Sequence, residues 1–593
     1  MKFSVLALDF DGTIAEHDRI DPAVRAAIAA VRAHDIAVVL VTGRRLDDLR
    51  RVAGDLHFVA AVVGENGGVL EFPSSGYAAV LGQPVPPKLI ELLRQEAIAF
   101  DVGQVIVEAA AADAGRILGV LQRAELPLVM AFNRSRVMVL PQSISKATGL
   151  REVLRVLRLS MHNAMAIGDA ENDHELLRFC EYGVAVGWGS EFLKASADAV
   201  LPGNSPAAVA PFLNAVAAER QLPVAARSRR WLGLGHADDG QPLGLAVRGR
   251  NVLIAGEPKS GKSWVTGLLS EQLILQGYCV CVLDAEGDYT SLHALPGVTV
   301  MGGANPLPKP IELVRALRHP DGSIVIDLSH QTHAAKLEYF NTTLPALAAL
   351  RRHTGFPHRI VVDEAHYFLH TEAAVRLLDL ELNGYTLVTY RASQLHPRVL
   401  ASVEAIVVTR ESDPREVAVL LDACAQCSTK EAADEWRRVL TNLAIGEAVV
   451  LPITSEAAGV LRRIRLAPRL TPHVRHQAKY MDIPVAPSRA FVFWPQDSPA
   501  GPRVDTLRGF VQVLEESPEP SLHGHLRRSD FSRWIGDVFG DRELAGQVNQ
   551  LEAQFRSGER PTVTRAIVEA VRQRYDFARI EPVPAAEVAT AVT

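Results

Sequence analysis

Short runs of aliphatic and β-branched residues alternate with helical stretches through the first two hundred positions. The runs are Phe3–Leu8, Ile36–Val41, Val59–Val63, Ala164–Ile167 and Gly183–Val186. Strands separated by amphipathic helices in this way predict an α/β unit built on a parallel sheet. Between about 80 and 141 the pattern changes to compact helix and strand units, Pro87–Glu96, Val102–Val107, Ala112–Ala124, Leu128–Phe132 and Arg136–Leu140. That stretch reads as a small α+β cap inserted into the first unit. A second α/β alternation follows, with strands expected at Val252–Ala255, Val280–Leu283, Val298–Met301, Ile324–Asp327, Ile360–Val362, Thr386–Thr389 and Ala405–Val408. The end of the chain reads mainly as helices.

The expected organisation is an α/β multidomain chain: 1–215 with its cap at about 80–141, a linker at 216–240, a second α/β domain at 241–480, and a helical module at 488–593. A length of 593 residues exceeds what one core supports and agrees with about three domains. The net charge of −6 provides no global field drawing the chain to nucleic acid or anionic lipid. Five cysteines make no disulfide framework, which predicts a reducing compartment. Cys424 and Cys427 have a redox or half-zinc spacing, but no second pair follows at ligand distance. No basic-then-apolar leader and no run of eighteen apolar residues occurs, so the expectation is a cytoplasmic protein without membrane association.

Candidate chemistry begins where the first strand ends, at Asp9-Phe10-Asp11-Gly12-Thr13. Two aspartates at i and i+2 are expected to point to one side, and their like charges should raise at least one pKa. A divalent cation would relieve the repulsion and create a place for a phosphate. A carboxylate could then attack phosphorus, with the neighbouring acid moving protons.

Downstream segments strengthen this reading: Val41-Thr42-Gly43-Arg44 at a strand end, Lys146 within Ser143-Ile144-Ser145-Lys146, and Gly168-Asp169-Ala170-Glu171-Asn172-Asp173 after another strand. In this order they resemble the motifs of the haloacid dehalogenase-like (HAD) phosphatases, which have a Rossmann-like core. A cap between the second and third motifs looks like the type IIB, sugar-phosphatase-like branch. The resemblance implies Asp9 as nucleophile and Asp11 as acid/base, with Thr42 and Lys146 holding the phosphoryl group. It also implies Mg²⁺ on Asp9, Asp169 and the Asp11 carbonyl, and Asp173 supporting the metal or orienting Lys146. The substrate is then a phosphorylated small molecule or a nucleic-acid end.

The second candidate is Gly256-Glu257-Pro258-Lys259-Ser260-Gly261-Lys262-Ser263, directly after the strand 252–255. The glycines let backbone N–H groups close around phosphates, Lys262 reaches their charge, and Ser263 can ligate Mg²⁺. The strand Ile360-Val361-Val362 then delivers Asp363-Glu364, in the manner of a metal-side aspartate and a water-polarising glutamate.

Further segments resemble the HerA/FtsK group of RecA-like ring ATPases, closest to HerA. They are the Asp284-to-Tyr289 turn, Gly233-Leu234-Gly235, Thr389-Tyr390-Arg391, Arg410 with Asp413-Pro414-Arg415, and Gly446-Glu447-Ala448. The resemblance implies ATP as cofactor, a homo-oligomer of hexameric type, and DNA as a candidate partner. Arg410 is a candidate for completing a neighbouring subunit's site. Tyr390 stands where the family has a sensor glutamine, which puts γ-phosphate sensing in question. Two alternatives stand beside this reading: a polynucleotide or metabolite kinase-phosphatase, and an ATP-gated oligomeric scaffold. In the C-terminal module, Phe531, Trp534 and Ile535 lie at helical spacing and read as core, and His525 reads as structural.

Overall fold

The computed structural model describes residues 2–219, 222, 230–246, 250–423, 430–451, 462–472, 485, 489–494, 501–539 and 541–575. Cys424 and Cys427 lie outside the described residues.

The first unit is an eight-stranded sheet in the order Ala199–Leu201, Tyr182–Val186, Ala164–Gly168, Val5–Asp9, Ala37–Val41, Ala61–Gly64, Val69–Phe72, Tyr77–Val80. The first six strands run parallel, and the last two form an antiparallel edge hairpin. Alternation along the strands supplies two cores. Leu6, Leu8, Val38, Leu40 and Ile167 pack under the helices Pro22–Arg32, Leu46–Ala53 and Val209–Glu219. Val5, Ala7, Val39, Val63 and Ala166 pack on the other face under the helices Lys146–Leu157 and His174–Phe179. A sheet covered on both faces requires strands without polar positions, which is why they read as continuous apolar runs.

The cap is a four-stranded antiparallel sheet with the helices Pro87–Gln95 and Ala114–Arg123 on it. The single strand expected at 102–107 is instead two, Phe100–Val102 and Val107–Ala110, paired antiparallel around a turn. The turn is fixed from outside the cap. The Glu65 carboxylate accepts hydrogen bonds from the backbone N–H groups of Gln104 (2.9 Å) and Val105 (2.8 Å).

The second unit holds an eleven-stranded sheet. Its parallel part runs in the order Ala405–Val408, Val252–Ala255, Tyr385–Thr389, Arg359–Val362, Val280–Asp284, Ser323–Asp327, Val298–Gly302. Part of the stretch read as a linker at 216–240 is described. It includes the end of the helix Val209–Glu219 and the strand Leu232–Ala237, which pairs with Pro242–Leu245 and with Arg463–Leu466 in the second sheet. Gly233 and Gly235 hide that strand from the sequence pattern, because β-propensity penalises glycine. The C-terminal module packs its helices around Phe510, Phe531, Trp534 and Ile535, with a short hairpin of Phe491–Val492 and Arg503–Val504 beside them. No helix among the described residues is long and apolar enough to cross a membrane.

The two α/β units meet through a buried polar network. Tyr278 donates to the Glu181 carboxylate (3.0 Å), which also engages His162 Nδ1 (2.8 Å) and Arg230 (2.9 Å). The His162 ring stacks on Tyr278 at 3.5 Å, and His358 Nε2 lies 3.1 Å from Asn163 Oδ1. Asn163 and Glu181 precede strands of the first sheet, while Tyr278 and His358 precede strands of the second. The units are therefore joined at the N-terminal edges of both parallel sheets, and the C-terminal edges face apart.

Burial holds the His162 imidazole below its ordinary pKa, against the pull of Glu181. Burial, with His162 and Arg351 adding to it, holds His358 lower still. Both rings are thus neutral in the folded chain, whereas the unfolded chain protonates them below about pH 6.5. Their contribution is complete above that pH and is lost as pH falls. Urea midpoints measured at pH 7.5 and 5.5 should drop on acidification, and the drop should shrink in a His162→Gln/His358→Gln variant.

Candidate active site at the first sheet

Three adjacent parallel strands, Ala37–Val41, Val5–Asp9 and Ala164–Gly168, deliver Thr42, Asp9 and Asp169 to one edge, in the register Asp9 opposite Val41 and Leu8 opposite Ile167. This C-terminal edge is where open α/β sheets bind ligands. Asp9 continues the face of Val5 and Ala7, the face covered by the helix Lys146–Leu157. Ser145 caps that helix by accepting from the Thr148 N–H, which places Lys146 at its first turn. Lys146 Nζ lies 2.6 Å from Asp9 Oδ1 and 2.7 Å from Asp173 Oδ1, with all three side chains buried. The other Asp173 oxygen accepts from the N–H groups of Asp169 (3.0 Å) and Ala170 (3.1 Å). Thr13 Oγ1 donates to Asp169 Oδ1 at 3.2 Å.

Burial pushes the Asp9 carboxyl well above the carboxylate range; Asp173 and Asp169 add to the rise, and Lys146 opposes it. Asp169 is raised by burial and by Asp173, against Arg134. Burial alone would lower Lys146, but Asp173 and Asp9 overcome it and keep the ammonium charged.

Asp11 departs from the sequence expectation. The strand ends at Asp9 and the chain turns at Gly12 (φ +77°), so Asp11 does not share the Asp9 pocket. Its carboxylate accepts from Arg44 Nε (2.8 Å) and Nη2 (2.6 Å) and is partly exposed. The like charges acting on Asp9 are those of Asp173 and Asp169, not Asp11. Gly12 is required where it stands: a Cβ there would lie 2.5 Å from Asp169 Oδ2.

Asp9, Asp169 and Asp173 each offer a carboxylate oxygen within 4.8 Å of the others. A set of hard oxygen donors suits Mg²⁺. Because Asp173 is engaged by Lys146 and by backbone N–H groups, Asp9 and Asp169 are the side chains best placed to hold the cation, with Asp173 fixing Lys146. The Asp11 carboxylate, turned onto Arg44, belongs to the rim. Thr42 is buried and its Oγ1 accepts from the Arg44 N–H (3.1 Å).

Residues 6–110 and 100–213 match the haloacid dehalogenase-like hydrolase family. A phosphoglycolate phosphatase of Natronomonas pharaonis is 30% identical over 208 residues, 33% of this chain and 89% of that protein. The chain belongs to the haloacid dehalogenase-like hydrolase family. The matched residues, in the N-terminal third, form its HAD domain. A second relative, the phosphoglycolate phosphatase of Archaeoglobus fulgidus, is 30% identical over 211 residues, 34% of this chain and 91% of its own length. Among solved structures, a haloacid dehalogenase-like hydrolase from Bacteroides thetaiotaomicron is similar at 20% identity, covering 36% of this chain and 100% of that one with a TM-score of 0.31.

Sequence reasoning passed over Glu65, Asn66 and Arg134 in the HAD domain. Glu65 and Asn66 both have positive φ (50° and 53°), and Asn66 Oδ1 accepts from Asn172 (3.2 Å) beside the fourth motif. The run Gly64-Glu65-Asn66-Gly67-Gly68 was the available signal, since asparagine and glycine mark left-handed turns.

The second candidate site lies beyond the family match. The segment 256–263 turns at Gly256 (φ +152°), Lys259 (φ +64°) and Gly261 (φ +110°) into the helix Lys262–Leu275. Lys262 Nζ donates to the Glu257 carbonyl (3.0 Å), and Ser263 donates to Asp288 (2.9 Å). Asp363 is buried at the end of its strand, with the Tyr289 hydroxyl 3.3 Å away, and Glu364 follows with φ +47°. The strand Tyr385–Thr389 separates the Asp363 strand from the 252–255 strand.

Arg410, the candidate for a neighbouring subunit's site, pairs in this chain with Glu257 of the 256–263 loop, which Ser412 also engages (2.7 Å). Tyr390 presents its ring 5.8 Å from Lys262 Nζ and packs against the C-terminal module. That module also meets the loop directly, since Lys259 donates to the Arg574 carbonyl. Pro258, Arg391, Phe539 and Arg542 line a cavity between them. His525 is structural, bridging Asp530 (2.8 Å) and the Trp494 N–H (2.9 Å).

Lys146→Met would leave Asp9 and Asp173 buried without their common cation. The expected loss is about 3–5 kcal/mol, as for breaking buried ion pairs elsewhere. Urea denaturation of the whole chain measures it, and an Asp173→Asn/Lys146→Met double variant should recover part of the loss.

Proposed function

We propose that the HAD domain is a Mg²⁺-dependent phosphomonoesterase working through an aspartyl-phosphate, with a small phosphorylated acid as substrate. The observation that carries this reading is the buried Asp9, held by Lys146 at the end of the central strand beside Asp169. Lys146 keeps one Asp9 oxygen oriented and supplies fixed positive charge where phosphoryl oxygens would gather. Thr42, at the next strand end, would donate to the same group. A cation on Asp9 and Asp169 would supply Lewis-acid charge neutralisation. Asp11, held on the rim by Arg44, would act as acid toward the leaving oxygen and then as base toward water. The relatives named phosphoglycolate phosphatase support a small acidic substrate. The cap's place between the Thr42 and Lys146 segments supports the type IIB reading.

For the second unit we propose a RecA-like, HerA-like ATPase that binds ATP with Mg²⁺ through Gly256–Ser263, with Asp363 on the metal side and Glu364 toward water. The glycine-permitted loop opening a helix, with Asp363 and Glu364 at a nearby strand end, supports this reading. The resemblance carries with it a hexameric homo-oligomer and DNA as partner. A kinase-phosphatase passing one compound between sites is disfavoured, because the two strand edges face apart.

Asp9→Asn should lower p-nitrophenyl phosphate hydrolysis by about 10³-fold or more, as for loss of a nucleophile, and leave ATP binding intact. Lys262→Ala should abolish ATP binding, read by calorimetry, and leave phosphatase turnover intact. Chelation should stop phosphatase turnover and added Mg²⁺ restore it. If either substitution removes both activities, the two-site reading fails.

A further inference from the structure

The tip of the cap hairpin Leu128–Asn133/Arg136–Pro141 reaches the catalytic edge. Asn133 pairs with Arg136, so Arg134 and Ser135 form the turn, and Arg134 takes φ +52°. A left-handed arginine is costly where glycine or asparagine would fit without strain, and such outliers persist where the side chain has work to do. The Arg134 guanidinium forms an ion pair with Oδ2 of Asp169, a member of the acidic cluster, and lies over Gly12. Arg136, on the same hairpin, is committed to Glu108 (2.8 Å) and Asp101 (3.0 Å) inside the cap. Arg134 is therefore the hairpin arginine that faces the core.

A guanidinium and a divalent cation compete for the same Asp169 oxygen, and each repels the other at contact distance. Displaced from Asp169, Arg134 remains tethered on the turn of the cap hairpin, beside Gly12 at the catalytic edge. Its planar fork matches a carboxylate bidentately.

We propose that Arg134 is the residue through which the cap selects its substrate, exchanging Asp169 for the carboxylate of a short phosphorylated acid when Asp169 turns to the cation. Arg134 thus has two anionic partners, one inside the protein and one on the substrate. Substrates lacking the carboxylate gain nothing from the exchange. This inference rests on the phosphatase reading above.

The test uses the full chain and two measurements. In calorimetric titration with Mg²⁺ alone, Arg134→Gln should bind about 2- to 5-fold more tightly than the parent, the scale of an exposed ion pair. The ratio of kcat/KM for 2-phosphoglycolate over p-nitrophenyl phosphate should fall about 10- to 100-fold in the same variant, the scale of a hydrogen bond to a charged group. Arg134→Lys should retain part of that ratio, since the charge stays and the fork is lost. An unmoved Mg²⁺ affinity or an unchanged ratio overturns the inference. If the parent protein hydrolyses neither ester, the phosphatase reading itself falls, and the Mg²⁺ titration still decides whether Arg134 competes for Asp169.

Discussion

One buried ammonium organises the front third of the chain. Lys146 stands between Asp9 and Asp173, and all three are withdrawn from water. Removing three ionised groups from solvent is costly unless each finds a counter-charge and hydrogen bonds. Here the arrangement closes: Lys146 serves both carboxylates, and Asp173 is further satisfied by the N–H groups of the Asp169–Ala170 turn. The sheet order makes this possible by setting the Asp9 strand between those leading to Thr42 and Asp169. The helix that begins at Lys146 must lie across the same face. Catalytic geometry and fold are therefore one constraint, because displacing any of these elements strands a charge in the interior.

Much of this was readable from residue order. Strands buried on both faces are uninterrupted apolar runs, and most of them appear where periodicity places them. The edges were less visible. Leu232–Ala237 contains glycines, and the hairpin Val69–Phe72/Tyr77–Val80 pairs antiparallel at the margin of a sheet that otherwise reads as parallel. At the site, the motif positions of Asp9, Thr42, Lys146 and Asp169 are legible because chemistry restricts them to strand ends and a helix start. Alternation misleads at Asp11, since the rule applies only while the strand lasts, and the strand ends at Asp9. Arg134 could not be found by pattern at all. Its significance lies in a contact between the cap and the fourth motif, positions far apart in sequence and brought together only by folding.

The second unit presents a different balance. Its glycine loop, Asp363 and Glu364 are arranged around one sheet edge, yet the loop is also held from outside by the C-terminal module through Lys259 and Tyr390. The aromatic residue at the position expected for a glutamine sensor does two things: it shields Lys262 and extends the module's apolar core. A residue with that much packing is tied to the module's position. The loop and the module therefore share Lys259 and Tyr390 as points of contact.

The polar seam around Glu181, His162 and Tyr278 sets the two sheets end to end, with opposite poles left open. Two five-residue strands laid nose to nose span roughly 33 Å at about 3.3 Å per residue. The two C-terminal edges, each carrying its own candidate site, therefore open away from the seam, and a ligand at one is separated from a ligand at the other by the length of both sheets.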